Sequence, residues 1–269
     1  MKILGIIPAR YASTRFEGKP LVIIDGKSMI QRVYEQAMKA PSLSKVIVAT
    51  DDERIFRHVE SFGGAAIMTS AEHQSGTDRC AEVVERLNFE IHSSNLDNEF
   101  PIVEKIGIRR EAAYSIVVNI QGDEPFIQPE QIEKVVEILR GASDVKIATL
   151  AKRIDNQQLI ENPNVVKVVF AADGRAVYFS RSPIPFVRAT LPNVQFSTGE
   201  FFKHIGLYAY RASVLMEIAK LPPSRLERLE QLEQLRWLEN GYPIGIAETD
   251  LETVGIDTPE DLAQLKIRN

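Results

Sequence analysis

Lys2-Ile3-Leu4-Gly5-Ile6-Ile7-Pro8 is an apolar run that reads as a buried strand. It breaks at once into Ala9-Arg10-Tyr11-Ala12-Ser13-Thr14-Arg15-Phe16-Glu17-Gly18-Lys19-Pro20. Arg10, Arg15 and Lys19, with the hydroxyls of Ser13 and Thr14, fall in one loop at a strand end. Open α/β sheets bind their ligands at that place. Such a loop suits a polyphosphate, because arginine offers a bidentate fork and lysine a mobile point charge. The spacing is neither Gly-x4-Gly-Lys-[Ser/Thr] nor Gly-x-Gly-x-x-Gly. Side chains are therefore expected to grip the phosphates, and an ordinary dinucleotide fold is disfavoured.

Outward from this loop, strand and helix patterns alternate. Met29, Ile30, Val33, Tyr34, Ala37 and Met38 mark a helix within Ser28 to Ala40. Lys45 to Ala49 is a short strand, with Thr50-Asp51-Asp52 as the cap of a helix that Gly63-Gly64 ends. Ala65 to Met68 and Ser115 to Asn119 read as strands, Thr77 to Leu87 and Gln128 to Arg140 as helices. This order predicts an α/β fold with a mainly parallel, doubly wound sheet. After about residue 146 the rhythm changes. Lys146 to Ala151, Asn164 to Phe170, Ala176 to Phe179 and Phe202 to Tyr210 look like strands with fewer helices between them, which suggests antiparallel additions. Leu226, Leu229, Leu232, Leu235 and Leu238 predict one apolar helix ridge, Pro243 to Ala247 a last strand, and Pro259 to Ile267 a closing helix. The segment 90–113 reads as an inserted excursion.

The bulk composition narrows the function. The 269 residues permit one large domain or two small ones, and a 44% hydrophobic share is ample for a core. The net charge of −5 argues against non-specific nucleic-acid or membrane binding, so the cations of the first loop point to a specific anion site. Cys80 is the only cysteine, which excludes a disulfide framework and a cysteine zinc site. With no apolar run of membrane-spanning length and no signal-like opening, a cytoplasmic protein is expected.

Four further constellations carry chemistry. Asn119-Ile-Gln121-Gly122-Asp123-Glu124-Pro125 places an acidic pair at a strand end. A turn with solvated acids is the plainer alternative. Beside a phosphate loop, however, Asp123 suits Mg²⁺, which takes one or two carboxylates plus phosphate oxygens and waters. Asp257 either caps the last helix or supplies the second carboxylate. His73-Gln74-Ser75-Gly76-Thr77-Asp78-Arg79 opens a helix. Ser75 or Thr77 is its cap, or Ser75 and Arg79 read a base or ribose; spacing leaves both open. His204 and Tyr208 share a strand face, where a lone histidine is more often structural. By pattern alone, Glu233 and Gln234 are a solvated helix flank and Arg181 a surface arginine.

Several stretches together resemble the 3-deoxy-manno-octulosonate cytidylyltransferases, the CMP-KDO synthetases. They are Ile6-Ile-Pro-Ala-Arg-Tyr-Ala-Ser-Thr-Arg-x-x-Gly-Lys-Pro-Leu21, His73-Gln-Ser-Gly-Thr77, Asn119-x-Gln-Gly-Asp-Glu-Pro125, Tyr178-Phe-Ser-Arg181, Leu232-Glu-Gln-Leu-Arg236 and Gly255-x-Asp-Thr-Pro-Glu-Asp-Leu262. The first alone would admit CMP-sialate synthetases; the set is more specific to 3-deoxy-D-manno-octulosonate (KDO). The resemblance implies a single GT-A-like nucleotidyltransferase domain over 1–269. A small antiparallel dimerisation arm would lie within about 150–210, and the working form would be a homodimer. It implies that CTP and KDO give CMP-KDO and pyrophosphate for lipopolysaccharide biosynthesis, with Mg²⁺ as cofactor. Carried over, Arg10, Arg15 and Lys19 would hold the triphosphate, with Ala9 and Ser13 as contacts in the same loop. Ser75 and Arg79 would help read cytidine, Gln121 would lie near ribose and sugar, and Asp123 and Asp257 would bind Mg²⁺. Arg181, His204, Tyr208, Glu233 and Gln234 would line the sugar pocket. The segment 90–113 and the stretch Val187 to Glu200 fit the family pattern least well.

The mechanism expected is in-line attack of the sugar's anomeric hydroxyl on the α-phosphorus, with catalysis by positioning and electrostatics and no obvious protein base. The alternatives are a cytidylyltransferase for 8-amino-KDO or sialic acid, a glycosyltransferase, and a non-catalytic nucleotide-binding regulator.

Overall fold

The computed structural model describes residues 1–12, 16–92, 114–141, 144–188, 200–252 and 255–268. Ser13, Arg15, most of the 90–113 excursion and most of the Val187 to Glu200 stretch lie outside the described residues. The strands in chain order are β1 (Ile3–Ala9), β2 (Ile23–Ile24), β3 (Lys27–Ser28), β4 (Lys45–Thr50), β5 (Ala66–Met68) and β6 (Ile116–Asn119). They continue with β7 (Ile147–Arg153), β8 (Lys167–Phe170), β9 (Ala176–Ser180), β10 (Phe202–Arg211) and β11 (Ile244–Glu248). The chain forms two compact units: Met1–Glu133 with Tyr210–Ala219 and Thr253–Asn269, and Lys134–Ala209 with Lys220–Glu252.

In the first unit β6, β1, β4 and β5 lie side by side, all parallel. Strands β1, β4 and β6 are buried along nearly their whole length. That is why they read as unbroken Val/Ile runs rather than alternating ones. Helix Met29–Ala37 begins where the Ser28 hydroxyl accepts from the Gln31 N–H, and it buries Met29, Ile30, Val33, Tyr34 and Ala37. Helix Glu53–Ser61 is capped by Asp52, whose carboxylate accepts from the Arg54 N–H. Gly63, at φ 80°, turns the chain out of it. Helix Gly76–His92 runs further than the spacing predicts.

In the second unit β11 pairs parallel with β7, which lies beside β10; β10 pairs antiparallel with β8, and β8 with β9. The later strands thus combine a parallel pair with an antiparallel group. The single leucine ridge expected over 226–238 is corrected to two short helices, Arg225–Glu230 and Gln234–Glu239. Residues spaced by three drift about 60° per step around a helix, so the five leucines cannot share a face. Leu229 is exposed while Leu232 and Leu235 are buried. The break falls at Gln231, at φ 53°. A Ser224/Glu227 capping box starts the first helix, and Glu227 also accepts from the Arg236 Nε at 2.8 Å, tying the second helix to it. Helices Gln157–Glu161 and Ala212–Ile218 were not anticipated, being too short to show a period. No helix among the described residues is long and apolar enough to cross a membrane.

Candidate active site

Parallel pairing brings the carboxyl ends of β1, β4 and β6 to one edge: Ala9 stands opposite Thr50, and Ile6 opposite Asn119. The chain steps from β1 to β4 to β5 and then returns to the other flank of β1 as β6. The gap beyond β1 and β6 is therefore a topological switch point, where such sheets leave a crevice. A cavity of about 210 Å³ opens there, lined by Ala9, Arg10, Lys19, His73, Gln74, Ser75, Gly76, Arg79, Gln121, Gly122 and Asp123 among others. Gly122 is required by space: a Cβ there would lie 2.9 Å from the Pro8 carbonyl oxygen.

Lys19 is presented by a short 3-10 turn that starts at Gly18, held at φ 68°. Its ammonium lies 2.7 Å from Asp123 Oδ2 and 3.0 Å from Asp257 Oδ1. Asp257 arrives from the other end of the sequence by two devices. The Ile256 N–H donates to the Asp123 carbonyl at 3.0 Å, and the buried Ile256 side chain packs with Ile24 and Met29. Capping of helix Pro259–Arg268 falls to other residues. The Thr258 hydroxyl accepts from the Asp261 N–H, and Asp261 Oδ2 accepts from the N–H groups of Asp257 and Thr258. Burial pushes the Asp261 carboxyl up, but those N–H groups outweigh it and hold the value low. The Asp257 side chain is thus directed to Lys19 instead of the helix end.

Ser75 caps helix Gly76–His92: its hydroxyl accepts from the Asp78 N–H at 3.1 Å, and Asp78 accepts from the Ser75 N–H at 3.2 Å. The same residue lines the cavity, so capping and ligand contact are compatible. Arg79 is almost wholly buried and donates to Thr69 and to Asp51 Oδ2. His73 pairs with Glu82, which also accepts from the Ser70 N–H at 2.9 Å. Burial raises the Glu82 carboxyl, but Ser70, His73 and Arg86 together hold it below the usual range. The supporting residues Asp51 and Glu82 escaped the sequence reading. Each works by holding another side chain, Asp51 holding Arg79 and Glu82 holding His73, and motif spacing does not display that.

The first loop is latched from below. The Gly18 N–H donates to the Tyr11 carbonyl at 3.0 Å, and the Tyr11 ring packs against the Gly18 backbone. Over that ring, 3.3 Å from its centroid, lies the Arg54 guanidinium, which forks onto Asp52.

The remaining residues singled out belong to the second unit. Arg181 donates to the carbonyls of Glu230, Pro163 and Gln231. The His204 and Tyr208 rings lie 5.3 Å apart, and Tyr208 meets Trp237 edge-on at 5.1 Å. Gln234 is buried and Glu233 half-buried at the start of the same short helix. Thr149 Oγ1 sits 2.9 Å from the Leu207 carbonyl and 3.0 Å from His204 Nε2. A hydroxyl that donates to a carbonyl can only accept from the imidazole, which assigns the proton to Nε2.

Burial pushes the His204 imidazole down to about 3, so it is neutral at pH 7. Between that value and about 6.5 the unfolded chain binds a proton that the folded chain refuses. The stability this histidine contributes is complete above about pH 6.5 and is lost as pH falls. Thermal unfolding is expected to show Tm falling between about pH 6.5 and 4.5, above the range where the depressed carboxylates act. His204→Asn should flatten that slope; an unchanged slope would assign it to other groups.

Residues 4–248 match the family model described as Cytidylyltransferase. A protein of Parabacteroides distasonis described as 3-deoxy-manno-octulosonate cytidylyltransferase is 51% identical over 97% of this chain and 96% of its own length. One of Cytophaga hutchinsonii with the same description is 48% identical over 98% and 96%. The solved structure of CMP:2-keto-3-deoxy-manno-octonic acid synthetase complexed with CTP superposes with a TM-score of 0.82 at 38% identity, covering 100% of this chain and 98% of the other. At 13% identity and a TM-score of 0.57, 4-diphosphocytidyl-2C-methyl-D-erythritol synthase from Anaerococcus prevotii shares the fold; 100% of this chain and 97% of that one are covered.

Proposed function

The chain belongs to the 3-deoxy-manno-octulosonate cytidylyltransferase family, and from that premise we propose that it transfers CMP from CTP to KDO, releasing pyrophosphate and supplying lipopolysaccharide biosynthesis. The observation that carries this reading is the Lys19, Asp123 and Asp257 cluster beside Arg10 at the switch point. A glycosyltransferase would share the metal carboxylate but not need three cations in the first loop, and a passive binder needs no complete metal clamp.

Arg10 and Lys19, with Arg15 from the same loop, hold the triphosphate and offset charge as pyrophosphate departs. Ser75 and Arg79 take part in cytidine recognition, Arg79 held in place by Asp51 and Thr69. Gln121 and the close-packed Gly122 backbone border the reacting end. In the second unit Arg181, His204, Tyr208, Glu233 and Gln234 hold the sugar. There the neutral His204 serves as a hydrogen-bonding group, not as a cation for the sugar carboxylate. The anomeric oxygen forms a bond to the α-phosphorus as the bond to the β-phosphate oxygen breaks, and the hydroxyl proton passes to solvent.

Asp123 and Asp257 fit Mg²⁺: they are hard oxygen donors already converging on one positive charge, the Lys19 ammonium. Two carboxylates leave coordination positions for phosphate oxygens and water, as this ion prefers. Bound there, it would lower the charge on the phosphates and acidify the attacking hydroxyl.

The working form is proposed to be a cytoplasmic homodimer. Phe186 and Val177 are 89% and 61% exposed within the expected arm, apolar surface that a second copy would cover. Light scattering would show a dimer mass; a monomer would remove this part.

Pyrophosphate release with CTP, Mg²⁺ and KDO, against sialic acid and 8-amino-KDO, tests the reaction. Release with KDO that EDTA abolishes supports it; release only with another sugar overturns the substrate. CTP binding with no release from any sugar would favour a regulator. The Tyr11 latch gives a finer check: Arg54→Ala should raise KM for CTP by about two- to fivefold, the scale of an exposed cation–π contact, with kcat little changed. An unchanged KM would remove Arg54 from loop positioning.

A further inference from the structure

We propose that Lys19 is the resident counter-cation of Asp123 and Asp257, and that a divalent cation enters only once nucleotide phosphate has drawn the ammonium off them. This rests on the proposed metal role of the two carboxylates and adds an order of events to it.

The geometry makes the two occupants mutually exclusive. The ammonium sits 2.7 and 3.0 Å from one oxygen of each carboxylate. A magnesium ion held by both carboxylates would draw its oxygen donors closer than an ammonium does, and so would need the space the ammonium fills. The Lys19 side chain is only 14% exposed, against 30% and 43% for the acids. Water screens this contact less than it screens an open surface pair.

Charge gives the direction. With Lys19 in place the cluster carries one net negative charge; with Lys19 withdrawn it carries two. An incoming divalent ion thus meets a weaker field and an occupied space when nucleotide is absent. Lysine is the residue able to make this exchange. Its compact ammonium rides on a flexible stem and can be retargeted, whereas an arginine fork commits to planar carboxylate geometry. The phosphate position lies close by, since Arg10, Gln121 and the Gly122 backbone line the same cavity as Lys19. A triphosphate bound there offers the ammonium equivalent oxygen partners, leaving both carboxylates to the metal. The backbone of Lys19 need not move, being fixed by the Gly18 turn and the Leu21 N–H bond to the Gly18 carbonyl.

Manganese serves as the probe, its binding to nucleotide-free protein followed by electron paramagnetic resonance. Lys19→Met, which keeps the stem and removes the charge, is expected to bind Mn²⁺ about tenfold tighter than wild type, a change of about 1.4 kcal/mol. Lys19→Arg should stay near the wild-type affinity, and adding Asp257→Asn to Lys19→Met should remove the gain. Lys19→Gln replaces the methionine variant if circular dichroism shows that the latter does not fold. A folded Lys19→Met that binds no tighter, while turnover still requires Mg²⁺ and Asp123, overturns the role of Lys19 alone. A gain that Asp257→Asn leaves intact puts the cation elsewhere and overturns the metal assignment itself.

Discussion

Asparagine at position 123 is expected to lower turnover by about 100- to 1,000-fold, the scale of losing one electrostatic stabiliser in an enclosed site, while the fold survives. The exchange keeps the shape of the side chain and removes its charge. Asp123 is 30% exposed and takes part in no core packing that asparagine would disturb. What changes is the convergence on one point: the Lys19 ammonium would lose its 2.7 Å carboxylate partner while keeping Asp257 at 3.0 Å, and a metal would lose a ligand. The backbone carbonyl that receives the Ile256 N–H is untouched, so Asp257 should still arrive. Pyrophosphate release at saturating CTP across a Mg²⁺ titration reads the effect, with a thermal melt as the control. A wild-type rate at saturating Mg²⁺ would remove Asp123 from the metal site.

Gly122→Ala is the second large effect, and it acts through position alone. The added Cβ would meet the Pro8 carbonyl oxygen at 2.9 Å and Ile7 Cγ2 at 3.6 Å. Strand β1 cannot yield, because Ile6 accepts from the Ile120 N–H at 2.9 Å and every neighbour in that register is buried. The 122 backbone must move instead, and it carries Asp123 with it. Misplacement by about 1 Å can cost about a hundredfold in rate, so kcat/KM should fall by that order. The strain should lower stability by about 1–3 kcal/mol. Gly141→Ala is the matched control, since a Cβ there meets nothing within 4 Å and the backbone is not left-handed. Near wild-type kinetics for Gly122→Ala, with the melt unchanged, would show that the crevice has more room than its backbone spacing allows.

Much of this architecture was legible in the amino-acid order. Unbroken Val/Ile runs announced β1, β4 and β6, because a strand buried on both faces has no polar side to alternate with. One cap was legible too, since Asp52, within the Thr50-Asp51-Asp52 cap region, satisfies an N–H group two residues on. Placing Arg10, Gln121 and Asp123 at strand ends needed only those strands and a parallel sheet, whose carboxyl ends share one edge. The leucine ridge failed for a stated reason: a spacing of three imitates a helix locally and drifts off its face over four steps. Asp51 and Glu82 were passed over because their work is to hold other side chains, Arg79 and His73, which no motif spacing displays.

By itself the sequence determined the elements, the strand ends that carry charge and the family. These depend on local propensity, burial pattern and residues close together along the chain. Only the tertiary structure decided that Asp257 meets Asp123 across a sequence separation of 134 residues, that Lys19 stands between them, and that Ser75 caps a helix while facing the cavity. It also decided that His204 stays neutral. Such outcomes depend on distance through space and on removal from water, and neither is a property of any residue's neighbours in the chain.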